Sequence, residues 1–190
     1  MTSGLRTDGD APASPIFIGD RPAHNGTIQL TPYDPSWPDI FQSVRARIEA
    51  ALGRAALAVH HAGSTSVPGL SAKPIIDVVL AVRDPADEDD YVPALLGAGF
   101  ELRIREPDWF EHRLLRGAAP SVNLHVFADV CEEVERMLAF RDWLRAHGDD
   151  RRLYEDTKQR LAAMTWTHVQ DYADAKSEVV REILGRALGS

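Results

Sequence analysis

Between Val59 and Val82 the chain reads Val-His-His-Ala-Gly-Ser-Thr-Ser-Val-Pro-Gly-Leu-Ser-Ala-Lys-Pro-Ile-Ile-Asp-Val-Val-Leu-Ala-Val. Two apolar, β-rich segments, 57–59 and 75–82, flank a loop of Gly, Ser, Thr and Pro that closes on Lys73. A pair of strands joined by such a loop is expected, and polar loops between buried strands carry function more often than packing. Gly63 lets backbone N–H groups approach a ligand, the hydroxyls of Ser64, Thr65 and Ser66 can donate to phosphate oxygens, and Lys73 adds a charge. The loop therefore reads as a phosphate cradle.

Known phosphate loops do not fit it. A Walker A loop needs four residues between its glycines and then Lys-Ser/Thr, whereas five separate Gly63 from Gly69 and Leu70 follows. The dinucleotide fingerprint Gly-x-Gly-x-x-Gly is absent from the loop as well. What the run His61–Asp77 resembles, almost residue for residue, is the hallmark of the GrpB family (formerly UPF0157), His-x-Gly-Ser-Thr-Ser-Val-Pro-Gly-Leu-x-Ala-Lys-Pro-Ile-Ile-Asp. A Tyr-x-x-x-Trp at Tyr33–Trp37, a Leu-His-Val at 124–126 and a Phe-Arg-Asp-x-Leu-Arg at 140–145 extend the resemblance from about residue 28 to the end. That family looks like a branch of the polymerase-β-type nucleotidyltransferases, in which a Gly-Ser pair is followed by carboxylates on the next strand. The resemblance implies an α+β fold, a nucleotidyltransferase-like mixed β-sheet with flanking helices and a C-terminal helical cap. It also implies a nucleoside triphosphate or other phosphorylated ligand, a divalent metal (Mg, Mn or Zn) and group transfer to a small acceptor; the alternatives are a non-catalytic nucleotide- or phosphate-binding module and a remodelled cleft for acyl or amide transfer.

Composition bounds the partners. At 190 residues the chain suits one domain with a sizeable core. We divide it into a mobile tail over 1–25, in which Ile16–Ile18 can dock, and a domain over 26–190, with the sheet core reaching about 128 and the helical cap starting near 131. A formal net charge of −8 argues against broad nonspecific nucleic-acid binding while leaving room for a local basic cleft. The single Cys131 excludes an intrachain disulfide framework and a cysteine-rich zinc site, which fits a reducing cytoplasm. No apolar run approaches the ~18 residues of a membrane span, and no secretory leader is recognisable.

Periodicity predicts the remaining elements. A short strand is expected at 27–30, then Ser36 as the cap of a helix carrying Ile40, Phe41, Val44, Ile48 and Leu52. The acidic run Asp84–Asp90 is expected as a solvated helix start ahead of a pattern through Leu96. Strands follow at 100–105, 109–116 and 122–127. A helix from Cys131 stopping at Gly148 and two more over about 150–164 and 168–188 complete the chain.

The candidate site residues come from these elements. Asp77 shares a strand face with Ile75 and Val79, and a buried carboxylate must meet a metal, a donor or a cleft. Its bland alternative is a structural acceptor, for instance toward Lys73. The acid that the nucleotidyltransferase pattern places two residues further on is Val79 here, so one metal is expected rather than two. His125 lies on the strand face away from Val122, Leu124 and Val126, and the resemblance makes Asp77 and His125 a candidate metal or base pair. Glu111 is a candidate base and Arg113 a candidate phosphate fork, both read on one strand face. In the last helices Lys158 follows Tyr154 and Lys176 follows Tyr172 by one turn on otherwise apolar stripes. Snorkelling or a structural pairing would explain such lysines; so would a triphosphate contact, with Tyr172 stacked on a ring.

Overall fold

The computed structural model describes residues 15–18, 27–166 and 169–189. Along the chain run β1 (Ile16–Phe17), α1 (Trp37–Leu52), β2 (Ala58–Ala62), β3 (Ile76–Val82), α2 (Val92–Gly97), β4 (Phe100–Glu106), β5 (His112–Gly117), β6 (Val122–Ala128), α3 (Glu132–Ala146), α4 (Gly148–Ala162), α5 (Val169–Asp174) and α6 (Ser177–Leu188). The strands form a single mixed sheet in the order β1-β4-β5-β6-β3-β2, antiparallel throughout except where β3 runs parallel to β6. The α+β class, the mixed sheet and the C-terminal helices are as the sequence led us to expect.

Alternation in β3 gives the sheet its two faces. Ile76, Val78, Leu80 and Val82 enter the main core with Phe41, Val44 and Ile48 of α1 and with Val92 and Leu95 of α2. Those α1 residues recur at helical spacing, which gives the helix one apolar stripe. Asp77 and Val79 take the other face, where α3–α6 pack: Val79 joins Ala62, Phe127, Cys131 and Val134 in a second cluster. Opposite Asp77 in the β3–β6 ladder stands Asn123, and opposite Val79 stands His125.

Several local expectations need correction. No strand forms at 27–30; Thr31 bridges Ala72 instead, with Ile28 N–H donating to the Ala162 carbonyl. The stretch at Ile16 does dock, as edge strand β1 on β4. The Ser36 side chain does not cap α1; the Asp34 carboxylate is held below its ordinary pKa by the Ser36 hydroxyl and by the Ser36 N–H, which donates to it at 2.8 Å. Gly148 opens α4 rather than stopping α3, because the chain breaks at the extended His147 (φ −115°, ψ 98°). The single helix expected over 168–188 is two. Tyr172 packs with Ile28, Leu161 and Ala162, whereas Val179, Val180, Ile183 and Leu184 pack with Leu144, Tyr154 and the Val67–Leu70 loop, and the break near Lys176 serves both clusters.

The acidic run is exposed ahead of α2 at Asp84, Asp87, Asp89 and Asp90, as expected, and Glu88 is its exception. It lies ahead of α2 in a 3-10 turn, Glu88–Asp90, and Glu88 bonds Arg105 of β4 through both oxygens at 2.6 Å and Arg113 of β5 at 2.6 Å. Two guanidiniums on neighbouring strands thus share one carboxylate, and the Arg105 and Arg113 bonds hold Glu88 below its ordinary 4.5 despite burial pushing it up. Glu88→Gln is expected to cost about 1–3 kcal/mol, read as a lower urea midpoint at unchanged slope. A depressed carboxylate stabilises above its unfolded pKa, so the gap to wild type should close as pH falls below 4.5.

Candidate functional site

The β2–β3 connection is built around Gly63. With φ 64° and ψ −173° it occupies a region open in practice only to glycine, and a methyl there would overlap the Asp77 carboxylate, 2.9 Å from its Cγ. The backbone therefore lies directly on the Asp77 side chain. Ser64–Ser66 then forms one 3-10 turn, closed by the Ser66 hydroxyl donating to the Gly63 carbonyl at 2.6 Å. His61 steadies it from β2: its Nε2 is 3.0 Å from Thr65 Oγ1 and its ring stacks on Phe41. Arg141 and Arg145 of α3 clamp the outside, donating to the carbonyls of His61 (2.9 Å) and Ser66 (3.0 and 2.8 Å).

Inside the turn lies a cavity of about 160 Å³, against the roughly 10–15 Å³ that one water needs. Gly63, Ser64, Thr65 and Asp77 form its floor, with Asn123 beside them. Its apolar wall comes from Val67, Met137, Phe140, Leu144 and Val180. The remaining wall is cationic: Lys73 from the loop, Lys158 from α4 and Lys176 at the start of α6. Of the 21 Lys and Arg residues in the chain these are the only lysines, the others being arginines.

The three lysines are held differently. Lys158 donates to the Ser71 carbonyl, pairs with Glu155 at 3.3 Å and lies 3.5 Å from Ser64 Oγ. The ammonium groups of Lys73 and Lys176 have no hydrogen bond or ion pair among the described residues and sit over one aromatic ring, 5.9 and 4.6 Å from the Tyr172 centroid. Burial lowers each lysine to about 8; Lys176 pushes Lys73 and Lys158 further down, while Asp77 pulls Lys73 and Lys176 back up. Asp77 shifts the opposite way. Burial raises its carboxyl, opposed by the Asn123 amide donating at 2.8 Å and by Lys73 and Lys176. The Tyr172 hydroxyl is buried without a hydrogen-bond partner among the described residues.

Gly63, Ser64, Thr65, Lys73, Asp77, Lys158, Tyr172 and Lys176 thus meet around one cavity. Ser66 turns away, to a second depression of about 500 Å³ lined by Arg45, Arg141, Arg145 and Arg151. The other candidates do not line the cavity. His125 shares the sheet face of Asp77 but bonds His112 at 3.0 Å, and His112 bonds Glu106 at 2.8 Å; burial pushes His125 well below the ordinary histidine value. Arg113 is taken up by Glu88. Glu111 precedes β5, with Phe110 and Glu111 at φ 54° and 49°, so the strand begins at His112 and not at 109. Arg113 reaches the Glu111 carboxylate (3.2 Å) by folding back, not by sharing a strand face.

Residues 27–186 match the family model described as GrpB protein. The chain belongs to the GrpB family. A UPF0157 protein of Halalkalibacterium halodurans is 54% identical over 90% of this chain and 88% of that protein, and one of Streptomyces coelicolor is 49% identical over 84% of each. A crystal structure of conserved protein GrpB from Enterococcus faecalis superposes with a TM-score of 0.73 at 30% identity, covering 85% of this chain and 98% of that one. A dephospho-CoA kinase of Mycolicibacterium paratuberculosis is 29% identical over 90% of this chain, which spans 48% of that protein.

The donors in this GrpB-family cavity do not fit a resident divalent metal. Among the described residues Asp77 is the one acid lining it, Asn123 spends an amide N–H on that acid, and no three His, Cys, Asp or Glu converge. Hard cations ask for several oxygen ligands. Asn123, Tyr154 and Arg141 also line the cavity and escaped the sequence reading; the scarcity of lysine was the legible signal, since each of the three lysines ends up here.

Gly63→Ala is expected to displace Asp77 or the turn and to cost about 2–4 kcal/mol, strain plus overlap. Gly69→Ala is the control: Gly69 also has positive φ (80°) but nothing lies within 4 Å of a methyl there. Thermal melts should show the larger loss at Gly63; equal losses would mean that the Asp77 contact is not a constraint.

Proposed function

We propose that the cavity binds a phosphorylated small molecule, a nucleoside triphosphate or another phosphorylated compound, and that the protein transfers or activates a group on it. The observation that carries this reading is the convergence of every lysine in an acidic chain on one cavity floored by a hydroxyl-bearing turn. Three lysines and Arg141 line the cavity with one carboxylate; with Lys158 paired to Glu155 and Arg141 to Asp142, Lys73 and Lys176 against Asp77 leave a positive excess that an anion would neutralise. Lys158, anchored by Ser71 and Glu155, is a fixed charge; Lys73 and Lys176 have donors to spare. Ser64 and Thr65 supply hydroxyls from the opposite side. The match to a protein named dephospho-CoA kinase accords with a phosphorylated ligand.

A second reading, a cleft that keeps the nucleotidyltransferase-like layout without two-metal transfer, draws on Val79. That residue is fully buried in an apolar cluster where the resemblance would place the second acid. No step here is routed through a metal; Asp77 serves as a carboxyl group that can hold or release a proton beside the ligand.

Calorimetry with pyrophosphate and ATP tests the reading. Lys176→Met is expected to weaken binding about tenfold or more, about 1.4 kcal/mol, with little change in melting temperature, because the relief of a half-buried ammonium is offset by the charge that Asp77 loses. Lys158→Met should weaken binding too but lower stability, since Glu155 loses its partner. Affinity should hold below about pH 8, where the lysines are charged, and fall above it. Stability moves the other way: lysine values lowered from 10.5 to about 8 mean that unfolding takes up protons between them, so these groups favour the fold increasingly across that window. Neither ligand binding at any pH, or affinity indifferent to Lys176, would end the proposal.

A further inference from the structure

In a chain that otherwise uses arginine for positive charge, the three lysines all line one cavity. Charge alone does not account for that choice, because arginine binds phosphate bidentately and is the commoner cation here. What lysine offers and arginine does not is an amine that can give up its proton and share its electron pair. Lys73 and Lys176 are placed for that. Both amines stand over the Tyr172 ring without a hydrogen bond or ion pair among the described residues, and Asp77 faces both from the cavity floor.

We infer that Lys73 and Lys176 form an amine site that captures the carbonyl carbon of a phosphorylated aldehyde or ketone as an imine, a narrowing of substrate class that rests on the phosphorylated-ligand reading above. Two ammonium groups facing the same floor in a buried site repel, so one gives up its proton and the other keeps it. Lys73, farther from the ring and pushed down by Lys176, is the nucleophile, while the ring face and Asp77 keep Lys176 an ammonium. The neutral Lys73 Nζ adds to the carbonyl carbon, the C=O π pair moves onto oxygen, and that oxygen takes a proton from the Lys176 ammonium. Lys176, now neutral, removes one proton from the Lys73 nitrogen and is an ammonium again. The resulting carbinolamine loses its hydroxyl as water, using the proton of the Lys176 ammonium, with the Asp77 carboxylate facing the cation that forms. The C–O bond breaks, C=N forms, and the iminium is left beside an Asp77 carboxylate. Lys158 and the Ser64–Thr65 hydroxyls hold the phosphate meanwhile.

Pyridoxal 5′-phosphate, a phosphorylated aldehyde, is the probe, with pyridoxal as its phosphate-free counterpart. The full chain is incubated with each at pH 8, reduced with borohydride, digested and mapped by mass spectrometry. With three lysines and the terminal amine as the only amines, assignment is unambiguous. The expected result is one pyridoxyl group per chain, on Lys176 or Lys73 and not both, suppressed by pyrophosphate. Lys73→Arg/Lys176→Arg, which keeps both charges, should lose the adduct with its melting transition intact. Should that variant fail to fold, the wild-type map decides alone. Pyridoxal phosphate binding that leaves no adduct, or an adduct confined to Lys158 or the terminal amine, overturns the amine inference and leaves the phosphate cleft standing. Equal labelling by pyridoxal and its phosphate, indifferent to pyrophosphate, supports the amine and overturns the phosphate reading instead.

Discussion

A carboxylate inside an apolar sheet must find compensation, and Asp77 finds it in a confined space. Asn123, its neighbour across the β3–β6 ladder, donates one hydrogen bond; Lys73 and Lys176 supply charge; Gly63 lies against the remaining side with no room for a side chain. That last contact fixes the turn. Because the chain must cross the carboxylate at Gly63, Ser64 and Thr65 are delivered to the cavity and Ser66 folds back onto the Gly63 carbonyl. The arginine clamps from α3 then tie the helical half of the molecule to the same turn. The sheet, the loop and the helices meet at one residue pair.

The cationic wall is costly in the same sense that Asp77 is. Burying Lys158 and half-burying Lys73 and Lys176 opposes folding at neutral pH, and their lowered values follow from it. The structure offsets it unevenly. Lys158 has a carbonyl and a carboxylate, whereas Lys73 and Lys176 have the face of Tyr172, a weak substitute for a hydrogen bond. Sites that hold such strain are commonly those where a ligand relieves it.

Much of this was legible in the sequence. The His61–Asp77 run identified the family, alternation gave the two faces of β3, and lysines on apolar helical stripes pointed to the cavity. Misreadings came where tertiary pairing overrode local pattern. Within the otherwise solvated Asp84–Asp90 run Glu88 did not stand out, because nothing in the sequence says that Arg105 and Arg113 come from later strands to meet it. His125 looked like the partner of Asp77 because alternation gives the face but not the register, and the parallel ladder sets Asn123 opposite Asp77 instead. The break near Lys176 was invisible for a similar reason: α5 and α6 are both helical, but pack into different clusters.

Three lysines share one anion-seeking cavity, and their small number makes their protonation directly measurable. Reductive ¹³C-methylation followed by NMR titration would resolve one signal for each of Lys73, Lys158 and Lys176. The account predicts that all three titrate near pH 8 in the free protein and shift upward together when pyrophosphate is added. Signals that titrate near 10.5 and ignore pyrophosphate would show three solvated surface lysines, and would contradict it.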